Sequence, residues 1–524
     1  MSKRRSKRNQ KHQPEPAEPP ALATPSEPDW LPGLIVAAGI IAYFTSFAGT
    51  YVLDDLAHIQ FSDKITSLTP LSKFFLHDRR PIVSLSLALN YALGKFDEWG
   101  YHAMNLAIHL AAALTLFGIV RQVLLREPLR KRYGAPAPWL AATVALLFVL
   151  HPLQTQAVTY IIQRAESLMG LFYLLTIYCL VRGDQSKLAP LWYLAAVAAC
   201  AAGMSTKAVM VTAPVVTLAF DRTFLSGTLV RALRRRWLFY LGLAATWALL
   251  FNTKVVQSAL NPNVTGPATI GFSIDEVTWW QYALSQPGVI LRYLQLSIWP
   301  SGQCLDYDWP VAQGVIRIGL PLAAIALLIG ATCWAWIRKP RLGFLGVWFF
   351  VILSPTSSFV PIKDLAFEHR MYLPLAAVIV LIVFAGYRAL ERCLPNAGGP
   401  GGRFVMAAVV VALAAPLGIA TMKRNTVYES TVKMYQNVLK TSPENVRIWT
   451  NLGTAWRQEG NDDKALGCYR RAVEIDPYFA SAHNNIGATL EEQGRLEEAL
   501  QFFLLALKAE PKKAYRHSAY AKVL

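Results

Sequence analysis

Residues 103–122 read AMNLAIHLAAALTLFGIVRQ, a run in which His109 and Arg121 are the only ionisable side chains. A helix of about 20 mostly apolar residues crosses the hydrocarbon core of a bilayer, and this run has that length. The pattern recurs along the chain. Eleven apolar stretches, centred near residues 40, 112, 145, 173, 197, 214, 245, 326, 350, 380 and 412, are predicted to be transmembrane helices. Of 524 residues, 54% are hydrophobic and 16% charged. A soluble domain carries about 25% charged residues, so the composition excludes a protein that is soluble over most of its length. The expected fold class is all-α: a polytopic membrane domain of about 11 transmembrane helices over residues 29–424, followed by a helical tail over 425–524. The six cysteines, Cys179, Cys200, Cys304, Cys333, Cys393 and Cys468, lie far apart without a CxxC, which argues against a zinc or redox motif.

The net charge of +18 is informative through its distribution. Lys3, Arg4, Arg5, Lys7, Arg8 and Lys11 open the chain, and a Pro/Glu/Ala stretch follows. Such a composition builds no core, so residues 1–28 are expected to be a disordered tail. Further basic clusters follow the second span (Arg126, Arg130, Lys131, Arg132), the sixth (Arg222, Arg231, Arg234, Arg235, Arg236), the eighth (Arg338, Lys339, Arg341) and the tenth (Arg388, Arg392, Arg403). Lys and Arg mark cytoplasmic loops. With the N-terminus inside, every one of these clusters falls inside, and the C-terminal tail falls outside the cytoplasm. Residues 284–300, LSQPGVILRYLQLSIWP, are apolar but short and contain Pro287 and Arg292. A crossing there would invert the next basic loop, so an interfacial or re-entrant helix on the outer face is predicted instead.

The tail repeats itself at a period of 34. Between residues 446–479 and 480–513, Leu452 matches Ile486, Gly453 matches Gly487, Gly460 matches Gly494, Ala465 matches Ala499, Tyr469 matches Phe503, Ala472 matches Ala506 and Pro477 matches Pro511. This is the tetratricopeptide (TPR) period and pattern. Small residues let the two helices of each hairpin approach, and proline ends the second. Pro443 lies one period upstream, so residues 430–443 are expected to be the second helix of a partial earlier repeat, and residues 514–524 could begin a last helix. Two and a bit repeats bury little surface and need support from the membrane domain or a partner. Asn451 and Asn485, one period apart, would line the concave face, where amides hold a peptide backbone. Their plainer reading, as solvated polar positions, stands beside this one.

Ionisable groups at membrane depth are costly and usually functional. Most of those here are predicted at the outer helix ends. Asp54 and Asp55 follow the first span, as TYVLDDLAHI; a carboxylate there serves as a general base or cation ligand, or is a solvated loop acid. Arg79 and Arg80 (HDRRP, residues 77–81) offer planar donor forks that suit phosphate. His102, Asn105 and His109 fall at i, i+3 and i+7 on one helix face. His151, Arg164 and Glu166 belong to the next outer loop, Lys207 to another, and Asp306 and Asp308 to the longest. Lys363, Asp364, Glu368, His369 and Arg370 crowd the loop before the tenth span. Singly, each is better explained as an interhelical hydrogen bond or an interfacial charge. Together they gather opposite charges from five outer loops on one face. That mixture suits transfer chemistry on a phosphate-bearing, lipid-linked substrate: cations stabilise the leaving phosphate and a carboxylate deprotonates the incoming hydroxyl.

The order of these motifs is familiar. An acidic pair in the first outer loop is followed by RRPIVSLSLALNYALG, GYHAMNLAIH, HPLQTQAVTYIIQRAESLMGLFYLL, EHRMYLP, and then RNTVYES leading into the repeats. The chain resembles the transmembrane-and-TPR (TMTC) O-mannosyltransferases and their bacterial relatives from about residue 30 onward. The resemblance implies a GT-C glycosyltransferase that takes a sugar from a polyprenyl phosphate on the outer leaflet and passes it to Ser or Thr hydroxyls of exported proteins, with the TPRs holding the acceptor. It assigns the general base to Asp55 or Asp54, with a preference for Asp55. It suggests Arg79, Arg80, His102, His369 and Arg370 near the donor phosphate, and Asn105, His151, Arg164, Glu166, Lys207 and Glu368 in the substrate pocket. The chain departs from the family in its short repeat array and in Ala208, which follows Lys207 where an acid is expected. No DxD stands in the first loop, so no metal and no other cofactor is expected, and no nucleic-acid partner. The compact loops favour a bacterial inner membrane.

Three other readings are carried. A non-enzymatic membrane anchor displaying TPRs to exported proteins would tolerate loss of Asp54 and Asp55 but not of Asn451 and Asn485. A transporter is disfavoured because its charges belong near the midplane on broken or repeated helices. An enzyme acting on a lipid or glycan acceptor is the fourth, and the TPR tail argues for protein instead.

Overall fold

Each of the eleven apolar stretches forms a helix. A computed structural model of the protein describes residues 29–251, 271, 277–393 and 400–511. The basic tail over 1–28 and the suggested helix over 514–524 lie outside the described residues. In chain order the main helices are α1 (Leu31–Tyr43), α2 (Pro81–Gly94), α3 (Glu98–Leu124), α4 (Ala137–Leu150), α5 (Arg164–Gly183), α6 (Ala189–Met204), α7 (Ala213–Asp221), α8 (Trp237–Ala245), α9 (Trp279–Ile298), α10 (Val315–Arg338), α11 (Pro340–Leu353), α12 (Pro374–Cys393), α13 (Pro400–Asn425) and, in the tail, α14 (Thr431–Thr441), α15 (Val446–Gln458), α16 (Asp462–Ile475), α17 (Ala480–Glu492) and α18 (Leu496–Ala509). Among the described residues, seven helical segments are long and apolar enough to cross a membrane alone. The stretches near 197, 245 and 350 give shorter apolar helices, Ala189–Met204, Trp237–Leu250 and Pro340–Leu353.

The stretch near 145 is a bent pair: Ala137–Leu150 and Pro152–Val158 meet at 53°. The cause is the HP dipeptide. A residue before proline is pushed out of the helical region, and His151 adopts φ −76, ψ 126. Residues 284–298 belong to a continuous helix of 20 residues, α9, that begins upstream at a capping box of Thr278 and Gln281 and carries Pro287 inside. Its buried face (Tyr282, Val289, Tyr293, Leu296) packs inward.

Burial separates centre from periphery. In the segment Ile161–Gly183, 78% of the apolar window is buried, against 6% in α10. The first is the heart of the bundle; the second offers its apolar side chains to lipid. At the centre His109 is fully buried, yet both ring nitrogens have partners, Tyr372 Oη at 2.9 Å and the Val149 carbonyl at 3.4 Å. A buried polar group without such bonds would be costly.

The two ends of the bundle are polar in different ways. At the end of the basic loops, Asp184 accepts from Arg126, Arg235 and Arg236, and Asp221 accepts from Arg236, Ser226 and Tyr240. The other end holds the residues predicted in the outer loops, together with the start of the tail.

The tail consists of helical hairpins. Helices α14, α15 and α16 begin at side-chain caps, with Ser430, Asn445 and Asn461 each accepting a backbone N–H three residues on, as polar N-caps do. Within the hairpins the glycines mark close approach. A Cβ on Gly453 would lie 2.4 Å from the Tyr469 ring, and one on Gly487 would lie 2.9 Å from Phe503. Gly460 and Gly494 turn the chain at φ +78 and +75, a conformation glycine adopts without steric cost. Helix α14 packs on α15 as the second helix of an earlier hairpin would.

Candidate functional site

The first outer loop is strapped across the end of the bundle. Thr50 N donates to the Tyr428 carbonyl at 3.0 Å, and His102 Nε2 meets the Gly49 carbonyl at 3.1 Å. The two aspartates then part company. Asp55 is fully buried; its Oδ2 accepts from Val52 N at 3.1 Å and its Oδ1 from Ile162 N at 2.7 Å. Burial pushes its carboxyl up to about 8 against the pull of those amide donors. Asp54 is exposed. Its amide donates to Tyr160 Oη at 3.1 Å, while its carboxylate has no hydrogen bond or ion pair among the described residues and lies close enough for its charge to act on Arg80.

Four more charged or titratable groups lie within electrostatic reach of one another here. Arg80, half-buried, precedes α2, with its backbone N–H bound to Asp78 Oδ1 at 2.9 Å. The carboxylates of Glu166 and Asp54 are the first opposite charges acting on it. Lys207 stands on extended backbone between α6 and α7, and its Nζ donates to Glu166 Oε2. Burial pulls the Lys207 amine below its ordinary value; Glu166 opposes this and Arg80 adds to it. His369 completes the group. Its backbone N–H and Nδ1 both lie on Gln156 Oε1, at 2.7 and 3.1 Å. Gln156 is oriented by its own Nε2–H, which donates to the Leu305 carbonyl at 3.2 Å. An amide oxygen only accepts, so Nδ1 carries the proton and Nε2 presents a lone pair. Burial, then Lys207, Arg370 and Arg80, holds this imidazole well below its ordinary value, so it is neutral at physiological pH. Sequence reasoning missed Gln156, since the two glutamines of HPLQTQAV, Gln154 and Gln156, give no signal of their partners.

Most of the remaining predicted site residues are bonded within the scaffold. Arg164 is fully buried and donates to Asn105 Oδ1 at 2.5 Å, Asn90 Oδ1 at 2.6 Å, Tyr101 O at 3.0 Å and Ser86 O at 3.1 Å. Asn105 in turn donates to the carbonyls of Val158 and Ile161. His151 bridges Leu153 N and the Ser297 carbonyl. Glu368, which burial raises, accepts from Tyr307 Oη at 2.6 Å, Cys304 N at 2.9 Å and Gln303 Nε2 at 3.1 Å. Arg370 clamps its own loop through the carbonyls of Leu365, Asp364 and Thr356. Of the groups expected near the donor phosphate, Arg370 has its terminal nitrogens bound to backbone carbonyls, whereas His102 binds backbone through Nε2 and has a buried Nδ1 without a hydrogen-bond partner among the described residues. Arg79 is exposed beside Arg80. Among the described residues no three His, Cys, Asp or Glu side chains are placed to hold a metal ion.

The tail packs against the outer loops beside this group, a seam with no signal in the sequence. Tyr435 on α14 is near enough to feel the Asp54 charge. Arg447 on α15 reaches Asp306 Oδ2 at 2.5 Å and Asp364 Oδ1 at 2.7 Å, joining two outer loops to the first repeat. Arg424 donates to the Gln303 carbonyl at 2.9 Å and to Asn437 Oδ1 at 2.6 Å, and Ser442 donates to the Tyr307 carbonyl at 2.9 Å.

Comparison with known proteins extends over most of the chain. Residues 453–494 match the family model described as TPR repeat and residues 480–513 the one described as tetratricopeptide repeat. Protein O-mannosyl-transferase TMTC4 of Homo sapiens is 24% identical, across 84% of this chain and 66% of its own length. Protein O-mannosyl-transferase Tmtc3 of Drosophila melanogaster is 23% identical, across 86% and 55%. The chain is similar to the TMTC proteins over most of its length. It spans about half to two thirds of their length. Among solved structures, ArnT from Cupriavidus metallidurans bound to undecaprenyl phosphate matches at TM-score 0.39 and 18% identity, over 90% of this chain and 79% of that one.

Asn451 and Asn485, expected on the concave face, sit on α15 and α17, the first helices of successive repeats. Both are half-buried. Asn485 Nδ2 donates to Thr454 Oγ1 at 3.3 Å, bridging the two helices, while Asn451 makes no hydrogen bond among the described residues.

Proposed function

We propose that the protein is a membrane glycosyltransferase of the GT-C type, moving a hexose, mannose first among them, from a polyprenyl-phosphate donor to Ser or Thr hydroxyls of exported proteins. The observation that carries this reading is the Asp54 carboxylate: exposed, without a hydrogen bond or ion pair among the described residues, and acting with Glu166, the partner of Lys207, on the charge of Arg80 in a chain similar to O-mannosyltransferases.

On this reading Asp54 takes the proton of the acceptor hydroxyl as that oxygen bonds to the anomeric carbon. The bond from that carbon to the donor phosphate oxygen breaks, and the polyprenyl phosphate leaves with the electron pair. Arg80 and Lys207 offset the charge gathering on the phosphate, where fixed cations in a water-poor cleft act most strongly. Glu166 holds Lys207 in place, and the bare Nε2 of His369 accepts a hydroxyl of the sugar or the acceptor. Asp55 braces the loop that carries Asp54, so the preference for Asp55 as base gives way to Asp54. The cleft belongs to the end opposite the basic loops, which supports an extracytoplasmic site with the N-terminus inside, as in a bacterial inner membrane. The TPR groove beside it would hold the acceptor chain, with Asn451 the free amide.

The test is replacement of Asp54 by Asn in the producing cell, followed by mass measurement of its exported proteins. Loss of hexose-sized masses at normal membrane accumulation supports the enzyme. Wild-type masses in that variant and on full deletion of the gene would favour the scaffold reading.

A further inference from the structure

A second candidate site lies at the opposite end of the bundle from the cleft. A cavity of about 870 Å³ opens there between α3, α11 and α12. Its volume is within the roughly 300–1,000 Å³ typical of small-molecule sites. Phe220, Trp348 and Leu174 form the floor, and Val120, Val380 and Phe384 the walls. The rim is of another kind: Arg132, Arg338, Lys339, Arg341 and Arg388 all line it. Arg132 is paired with Glu391 at 2.7 Å, and Arg388 donates to the Tyr133 hydroxyl at 3.4 Å and acts on Glu391 through its charge alone, with no ion pair among the described residues. Arg338 and Arg341 are exposed and make no ion pair among the described residues. Five cations thus ring the mouth against one carboxylate.

An apolar groove with a cationic mouth at a helix end is complementary to an amphiphile with an anionic head. Lipid tails are as apolar as leucine, so the walls give no preference among lipids; the rim does, because arginine forks match phosphate oxygens and basic pockets between membrane helices hold anionic headgroups. We propose that this groove binds one anionic phospholipid of the leaflet that faces the basic loops, its acyl chain along Val120 and Phe384 and its phosphate among Arg338, Arg341 and Arg388. The site is separate from the cleft at the other end and stands whatever reaction occurs there.

The full chain, purified in mild detergent, would be titrated with phosphatidylglycerol or phosphatidylethanolamine of identical acyl chains and examined by native mass spectrometry. One phosphatidylglycerol per chain is expected to bind saturably and at least tenfold more tightly than phosphatidylethanolamine. The double variant Arg341→Glu, Arg388→Glu should lose that preference. Leu381→Trp, which adds an indole at a 46% exposed position lining the groove, should lower occupancy with the charges intact. Equal retention of the two lipids, or binding of phosphatidylglycerol unchanged in both variants, would overturn the proposal. So would displacement of phosphatidylglycerol by undecaprenyl phosphate at far lower concentration, which would make the groove a polyprenyl site.

Discussion

Replacing each of the adjacent aspartates by asparagine separates catalysis from support. Asp55→Asn preserves shape and one acceptor oxygen but turns an NH₂ toward the second amide. The bond to Val52 N or to Ile162 N is lost, and a buried donor is left without a partner, at a cost of about 1–3 kcal/mol. Asp54→Asn disturbs no bond of an exposed carboxylate, and surface changes of this kind stay within about 0.5 kcal/mol. Removal of a general base lowers a rate by about 10²–10⁴. Thermal unfolding of the purified variants and hexose transfer in cells should therefore move in opposite directions: stability falls in Asp55→Asn, transfer falls in Asp54→Asn. The pH dependence supplies a second readout. Burial raises the Asp55 carboxyl from an ordinary value of about 3.9 up to about 8, so between these values the folded chain keeps a proton that the unfolded chain has released. The stability this group contributes is complete below about pH 4 and lost as pH rises through about 8, with a slope approaching about 1.4 kcal/mol per unit. Asp55→Asn should flatten that slope. Wild-type transfer in Asp54→Asn, or a wild-type unfolding midpoint with transfer abolished in Asp55→Asn, would refute the division of roles.

Gln156→Leu removes the acceptor that fixes the His369 tautomer; transfer should fall and the acid limb of its pH–rate profile should shift, and an unchanged profile would remove Gln156 from the mechanism. Gly453→Ala drives a methyl to 2.4 Å from the Tyr469 ring and should destabilise the repeats by about 1–3 kcal/mol, as overpacking does, whereas Gly467→Ala meets no atom within 4 Å and should be neutral or stabilising; circular dichroism melts of the two variants make the comparison. Arg447→Ala breaks the contacts to Asp306 and Asp364 and should speed proteolytic release of the tail by severalfold, and equal cleavage rates would mean that other seam contacts suffice.

The spans were legible because the length of an apolar run is a property of the chain alone. The bend at His151 was legible in principle from Pro152, and the glycines of the repeats announced themselves through a period of 34. Residue roles at the outer end were not legible, for a physical reason. In a medium without water every buried donor and acceptor must find a partner within the protein, so polar residues at helix ends serve first to satisfy one another. Arg164 and Arg80 look alike in sequence, each a basic residue in a short polar motif. The former has its donors bound to two asparagines and two carbonyls, whereas the latter has its side chain free of hydrogen bonds among the described residues. Asp55 and Asp54 differ in the same way. Their adjacency made them indistinguishable as letters, but neighbouring side chains on a bent loop point to different sides, one to the amides of Val52 and Ile162 and one to the cleft. What marks a candidate catalytic group here is capacity left over once the scaffold is satisfied: the carboxylate of Asp54, the guanidinium of Arg80 and the lone pair on His369 Nε2. That capacity is a three-dimensional quantity. It explains why a list of polar residues by position contained the site and also contained much of the framework that holds it.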